Sequence, residues 1–91
     1  MIKNFRCADT EKLYKGMRVR RFVSFEAVAR RKLEVLAAAH QLDDLRSPPG
    51  NRLEALKGDR TGQHSIRVND QYRVCFRWKD GADNVEIVDY H

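Results

Sequence analysis

At Gly62 the hydrophobic pattern of this chain changes period, and that change limits the folds open to it. Before it, Phe25, Val28, Ala29, Leu33, Leu36 and His40 recur at helical spacing from Ser24 to about His40, giving one long amphipathic helix. After it, apolar residues alternate. His64, Ile66 and Val68 share one face, then Tyr72, Val74, Phe76 and Trp78 do, with Arg73, Cys75, Arg77 and Lys79 opposite. Asp80-Gly81 marks a turn, and Val85 to Tyr90 reads as a last strand. Upstream, Ile2 to Arg6 alternates weakly enough to suggest a short strand. Asp9 or Thr10 can cap a short helix through about Lys15, with Gly16 as its stop. A basic connector, Arg18-Val19-Arg20-Arg21, leads into the long helix, and Ser47-Pro48-Pro49-Gly50-Asn51 ends all helix beyond it. The class predicted is α+β: an N-terminal strand, two helices, then an antiparallel β-meander with the helices packed on one face.

A chain of 91 residues supports one core, so residues 1–91 are expected to form a single domain. Its opening residues lack the apolar run of a signal peptide, and no stretch is apolar enough to span a membrane. Cys7 and Cys75 lie far apart and cannot make a zinc site alone, and a secreted disulfide scaffold of this size would carry more cysteines. No Gly-rich phosphate loop, metal motif or nucleophile elbow is present. The expectation is a cytoplasmic domain with neither metal nor organic cofactor and no membrane partner.

The net charge of +5 comes from one segment: Arg46 to Lys79 holds eight basic and three acidic residues, and the remainder holds ten of each. Clustered cations of this kind form either a solvated surface or a polyanion site. The hairpin register bears on the choice. A two-residue turn at Asn69-Asp70 would set Arg67 against Tyr72 and put a charge on the aromatic face. A three-residue loop, Asn69-Asp70-Gln71, instead pairs Val68 with Tyr72, Ile66 with Val74, Arg67 with Arg73 and Ser65 with Cys75. The second register keeps both faces consistent. It also places two arginines side by side, which is unfavourable unless an anion bridges them. Either a bound phosphate does so, or Glu86, which shares that face with Val88 and Tyr90, satisfies one arginine as a structural ion pair.

Cleavage of RNA by its own 2′-hydroxyl requires a proton acceptor, a proton donor and cations around the phosphorus, and needs no metal in principle. His, Tyr, Arg and Lys supply such parts here, as they do in many proteins without that activity. Residue by residue, His40 and His64 read as structural, Trp78 and Tyr72 as core, and Lys57 as a turn lysine in Leu56-Lys57-Gly58-Asp59-Arg60.

Several segments together resemble the HigB-type toxins of bacterial toxin–antitoxin pairs, within the RelE/ParE superfamily, and most of all its GraT-like subgroup. They are Leu45 to Leu56, Lys57-Gly58-Asp59-Arg60, Ser65 to Arg73, and the closing Val85 to His91, with Met1 to Phe5 and Cys7 to Glu11 also fitting. The resemblance implies a RelE-like fold and a ribosome-dependent mRNA endonuclease acting in the decoding site. It implies a HigA-like helix-turn-helix antitoxin, with operator DNA engaged only through the toxin–antitoxin complex. It assigns Lys57 and Arg73 to phosphate handling and Asp89, Tyr90 and His91 to the catalytic group; Arg60 and Arg67, from the same basic segment, are expected to bind RNA beside them. Related toxins can have a His where this chain has Glu54, so a proton-transfer role of that His passes to Glu54 or His91, or catalysis is weaker. Two other functions fit the same scaffold or charge: a non-catalytic ParE-like toxin and a simple RNA-binding module.

Overall fold

A computed structural model describes residues 1–90. Helix α1 spans Ala8–Tyr14 and helix α2 spans Glu26–Ala38, joined by a 3₁₀ segment at Arg20–Phe25. The sheet follows, with strands β1 (Glu54–Ala55), β2 (Gln63–Arg67), β3 (Tyr72–Trp78) and β4 (Ala82–Asp89) in spatial order β1-β2-β3-β4, each pair antiparallel. This is the α+β arrangement the change of period predicts.

The helices cover one face of the sheet. Leu13 of α1, Phe22, and Ala29, Leu33 and Leu36 of α2 meet Ile66, Val74, Phe76, Val85 and Ile87 in a single core. Tyr72 stacks on Phe25 with ring centroids 4.4 Å apart, and His64 lies against Phe76 at 6.3 Å, so both sit on the core side of their strands. The β2–β3 register is the one the three-residue loop demands: Ile66 opposes Val74, Arg67 opposes Arg73 and Ser65 opposes Cys75. Asn69 closes the loop, its Oδ1 accepting the backbone N–H groups of Gln71 (2.8 Å) and Tyr72 (2.7 Å).

Several local expectations are corrected. The N-terminal segment forms no continuous strand. It runs parallel to β4 through two isolated bridges, Ile2 to Ala82 and Phe5 to Val85. The cause lies in β4, where Asn84 adopts a left-handed backbone (φ 53) and the β3–β4 register slips between Cys75 and Arg77. That extra residue lets Ala82 and Val85 both face the core although they are three apart. It also starts β4 three residues earlier than strict alternation suggests.

Helix α1 takes Cys7 as its N-cap residue. Thr10 is buried and its Oγ1 accepts the Ile87 N–H at 3.0 Å, so it ties the helix to β4 rather than capping it. Gly16 does end the helix, with φ 92 and its N–H on Leu13 O at 3.1 Å. Helix α2 stops at Ala38, two residues short, and His40 is exposed rather than on the buried stripe. There the chain turns extended at Ala39, and the Asp44 carboxylate accepts the N–H groups of His40 and Gln41, each at 2.9 Å. Strand β1 is too short for any periodicity and was not foreseen.

Candidate active site

The sheet face turned away from the helices carries the polar residues. Strand register sets Glu54, Ser65, Cys75 and Glu86 in a row across all four strands. One step along lie Arg67, Arg73 and Val88. An arginine works at each end of the row. Arg73 serves the Glu54–Ser65 end, and Arg60, from the turn after β1, serves the Glu86 end.

Arg73 is the more enclosed, with its side chain 11% exposed. Its Nε donates to Ser65 Oγ at 2.7 Å and its Nη2 to the carbonyl of Arg52 at 2.6 Å. Glu54 Oε1 stands 3.7 Å from the same Nη2, on a side chain that is 54% exposed. Among the described residues Nη1 meets no acceptor. The Arg52 carbonyl is available because Arg52 has a left-handed backbone (φ 45, ψ 59). Asn51, fully buried, holds the preceding turn in place: its Nδ2 donates to Leu45 O (3.2 Å) and Ser47 O (3.3 Å), and its Oδ1 accepts from Lys32 Nζ. The Pro-Pro-Gly-Asn break is therefore more than a helix terminator. It carries a carbonyl into the site.

At the other end, Arg60 Nη1 donates to Glu86 Oε1 at 2.9 Å and Gln63 Oε1 at 3.2 Å. Glu86 also has Arg6 Nε at 3.8 Å. The hydrogen bond to Glu86 holds the Arg60 guanidinium above its ordinary range against the opposing effect of burial, and the charge of the Glu86 carboxylate adds to it. Glu86 is thus a structural ion-pair partner, as one of the two readings had it, but for Arg60 and Arg6 rather than for the paired arginines. Between the two ends sits Cys75, fully buried; burial pushes its thiol up to about 11 despite Arg60 and Arg73 nearby. It is a poor nucleophile there.

The remaining predicted residues lie around this row. Arg67 is half-buried and its Nη2 donates to Asp70 Oδ1 within the hairpin loop. Lys57 is exposed at the start of the turn after β1. Asp89 closes β4 opposite Tyr72, and Gln71 Nε2 donates to its Oδ2 at 2.9 Å. Tyr90 is exposed, with its backbone N–H on Gln71 O at 2.8 Å. His91 lies outside the described residues. The structure thus brings Arg73 and Glu54 together directly, sets Arg67 opposite Arg73 but paired with Asp70, and leaves Lys57 exposed in the turn after β1. Sequence reasoning missed Ser65 and the Arg52 carbonyl as partners of Arg73. The available signal was a serine predicted on the arginine face beside Cys75.

Among the described residues no enclosed pocket opens over these groups, and no three His, Cys, Asp or Glu side chains gather as metal ligands. No described helix is long and apolar enough to cross a membrane. The site is a rim with a buried cation, an exposed carboxylate beside it, and further cations around. Such an arrangement can hold a phosphate at Arg73 while Glu54 or a neighbour moves a proton.

The family model described as the RelE-like toxin HigB of type II toxin–antitoxin systems matches residues 3–91. A curated relative, Toxin HigB-1 of Vibrio cholerae serotype O1, is 43% identical over 93 aligned positions, covering 100% of this chain and 98% of its own. An uncharacterised protein of Haemophilus influenzae is 41% identical over 64 positions, covering 70% of this chain and 63% of its own.

Proposed function

The chain belongs to the HigB family of RelE-like toxins of type II toxin–antitoxin systems, and from that premise we propose that it is a metal-independent, ribosome-dependent mRNA endonuclease. Membership implies an antitoxin partner. In this reading the antitoxin is a HigA-like helix-turn-helix protein, operator DNA is met only through the complex, and the toxin works in the cytoplasm, where ribosomes are.

The observation that carries the reading is Arg73, a guanidinium fixed in a sheet face with a carboxylate 3.7 Å away. Arg73 and Lys57 hold non-bridging oxygens of the scissile phosphate, and Arg60 and Arg67 guide the flanking backbone. Glu54 takes the 2′-hydroxyl proton as the 2′-oxygen bonds to phosphorus. The bond from phosphorus to the 5′-oxygen breaks, and that oxygen receives a proton from His91 or Tyr90, with Asp89 completing the proposed catalytic group. The products are a 2′,3′-cyclic phosphate and a 5′-hydroxyl. In this reading the ribosome supplies the orientation of the strand, a contribution that reaches ~7–11 kcal/mol in well-aligned systems.

Purified toxin is added to ribosomes programmed with a message, and in parallel to the same message alone. Cutting is expected on the ribosome and near zero in free RNA, and a single 2′-deoxy residue at the cut site blocks it. Rapid cleavage of naked message defeats ribosome dependence. Growth arrest in cells with no cleavage of either substrate favours the non-catalytic ParE-like alternative.

A further inference from the structure

We propose that Ser65 is a positioning residue, acting through Arg73, and that it forms with the Arg52 carbonyl a two-jawed clamp that presets the guanidinium for the phosphate. The inference deepens the proposed function and rests on the role given there to Arg73.

Three observations meet at this point. Ser65 is fully buried in β2, an internal strand, and its hydroxyl accepts Arg73 Nε at 2.7 Å. Arg52 holds a left-handed backbone that non-glycine residues adopt only at a cost, and it does so where its carbonyl accepts Arg73 Nη2 at 2.6 Å. Backbone strain of this kind persists where surrounding structure enforces it, here through buried Asn51. The two acceptors occupy the Nε–Nη2 side of the guanidinium plane. They fix its rotation and leave the Nη1 edge for an anion. Glu54 approaches Nη2 only at 3.7 Å, too long for a hydrogen bond, and its exposed side chain is able to yield to substrate. A preset cation needs no reorganisation as charge develops on the phosphorane, so its contribution falls on the rate of the step rather than on binding.

The test is a double-mutant cycle on single-turnover cleavage by ribosome-bound toxin, with thermal melting to follow folding. Arg73→Ala is expected to lower the rate on the order of 10²-fold or more. Ser65→Ala is expected to lower the rate constant about tenfold, the equivalent of one hydrogen bond, with half-saturating toxin concentration unchanged. In the Arg73→Ala background, Ser65→Ala should cost nothing further. Should Ser65→Ala fold poorly, Ser65→Thr and Ser65→Val provide an equal-shape pair differing by the hydroxyl, and the threonine protein should be the faster. If Arg73→Ala is slow while Ser65→Ala matches wild type, or Ser65→Ala is as harmful without Arg73 as with it, the clamp is overturned and the function stands. If wild type does not cleave, or Arg73→Ala cleaves normally, the underlying reading fails and the clamp with it.

Discussion

Arg67 and Arg73 face each other across β2 and β3, yet neighbouring strands and loops give them opposite surroundings. Arg67 reaches an acid in its own loop, while Arg73 is drawn inward by Ser65 and Arg52. Removing Lys57 and removing Arg73, the two cations proposed to hold the scissile phosphate, should have separable effects. Lys57 is exposed, so Lys57→Ala should leave the melting temperature unchanged while toxicity falls. Arg73→Ala should lose toxicity and also destabilise the fold by ~1–3 kcal/mol, because buried Ser65 and the Arg52 carbonyl lose a partner. Arg73→Lys should not restore activity, since a point charge cannot make both bonds of the fork. A toxic, stable Arg73→Ala protein removes this residue from the mechanism. Cys75 gives a pH dependence. Its folded thiol ionises near 11 against an ordinary 9.0, so across that window the folded chain binds more protons than the unfolded one. Its stabilising contribution is complete below about pH 9 and is lost as pH rises toward 11. Melting temperature should accordingly fall less steeply between those pH values in Cys75→Ala than in wild type, and parallel curves would refute the assignment.

At the scale of elements, departures from regular alternation decide where side chains point. The Asn84 bulge resets β4 so that Glu86 meets Cys75 and Arg60 while Val85 and Ile87 stay in the core. The turn before β4 is held by the N-terminus, and Gly81 is its tightest point: φ is 133 and an added Cβ would lie 2.9 Å from the Met1 carbonyl. Gly16, at φ 92, has open space around it. Gly16→Ala should cost only the left-handed backbone penalty of ~1–2 kcal/mol. Gly81→Ala should cost more, because the Met1–Ala82 pairing must shift as well. Denaturant melts of the two variants compare them directly, and equal losses would show that the N-terminal segment contributes little to this edge.

For the whole molecule, the excess charge lies between Arg46 and Lys79, the stretch that builds the polar sheet face and its rim. Glu86, from outside that stretch, neutralises Arg60, and Asp70, within it, pairs with Arg67. In the proposed function Lys57 and the outer edge of Arg73 meet the scissile phosphate, with Arg60 and Arg67 along the flanking backbone. Ribosome-bound cleavage should therefore weaken with salt chiefly in binding, through counterion release. A titration from 50 to 200 mM salt, about a fourfold range over which phosphate contacts lose affinity, should raise the half-saturating toxin concentration and leave the maximal rate little changed. A maximal rate that falls in step with binding would point to salt acting on the chemical step.

The class of fold was legible in the residues because two periods, helical before Gly62 and alternating after it, require two kinds of element and one shared core. The hairpin register was legible too: only a three-residue loop kept Ile66 and Val74 on the same side. What alternation cannot carry is an extra residue or a stretch too short to have a period. The bulge at Asn84, the broken N-terminal pairing and the two-residue β1 all escaped for that reason. The cations of the site were visible by type, and Arg73 by its awkward place beside Arg67. Their partners were not. Which acceptor reaches which arginine depends on contacts across residues far apart in the chain, Arg60 with the Glu86 carboxylate and Arg73 with the Arg52 carbonyl, and only the folded sheet brings those groups within bonding distance.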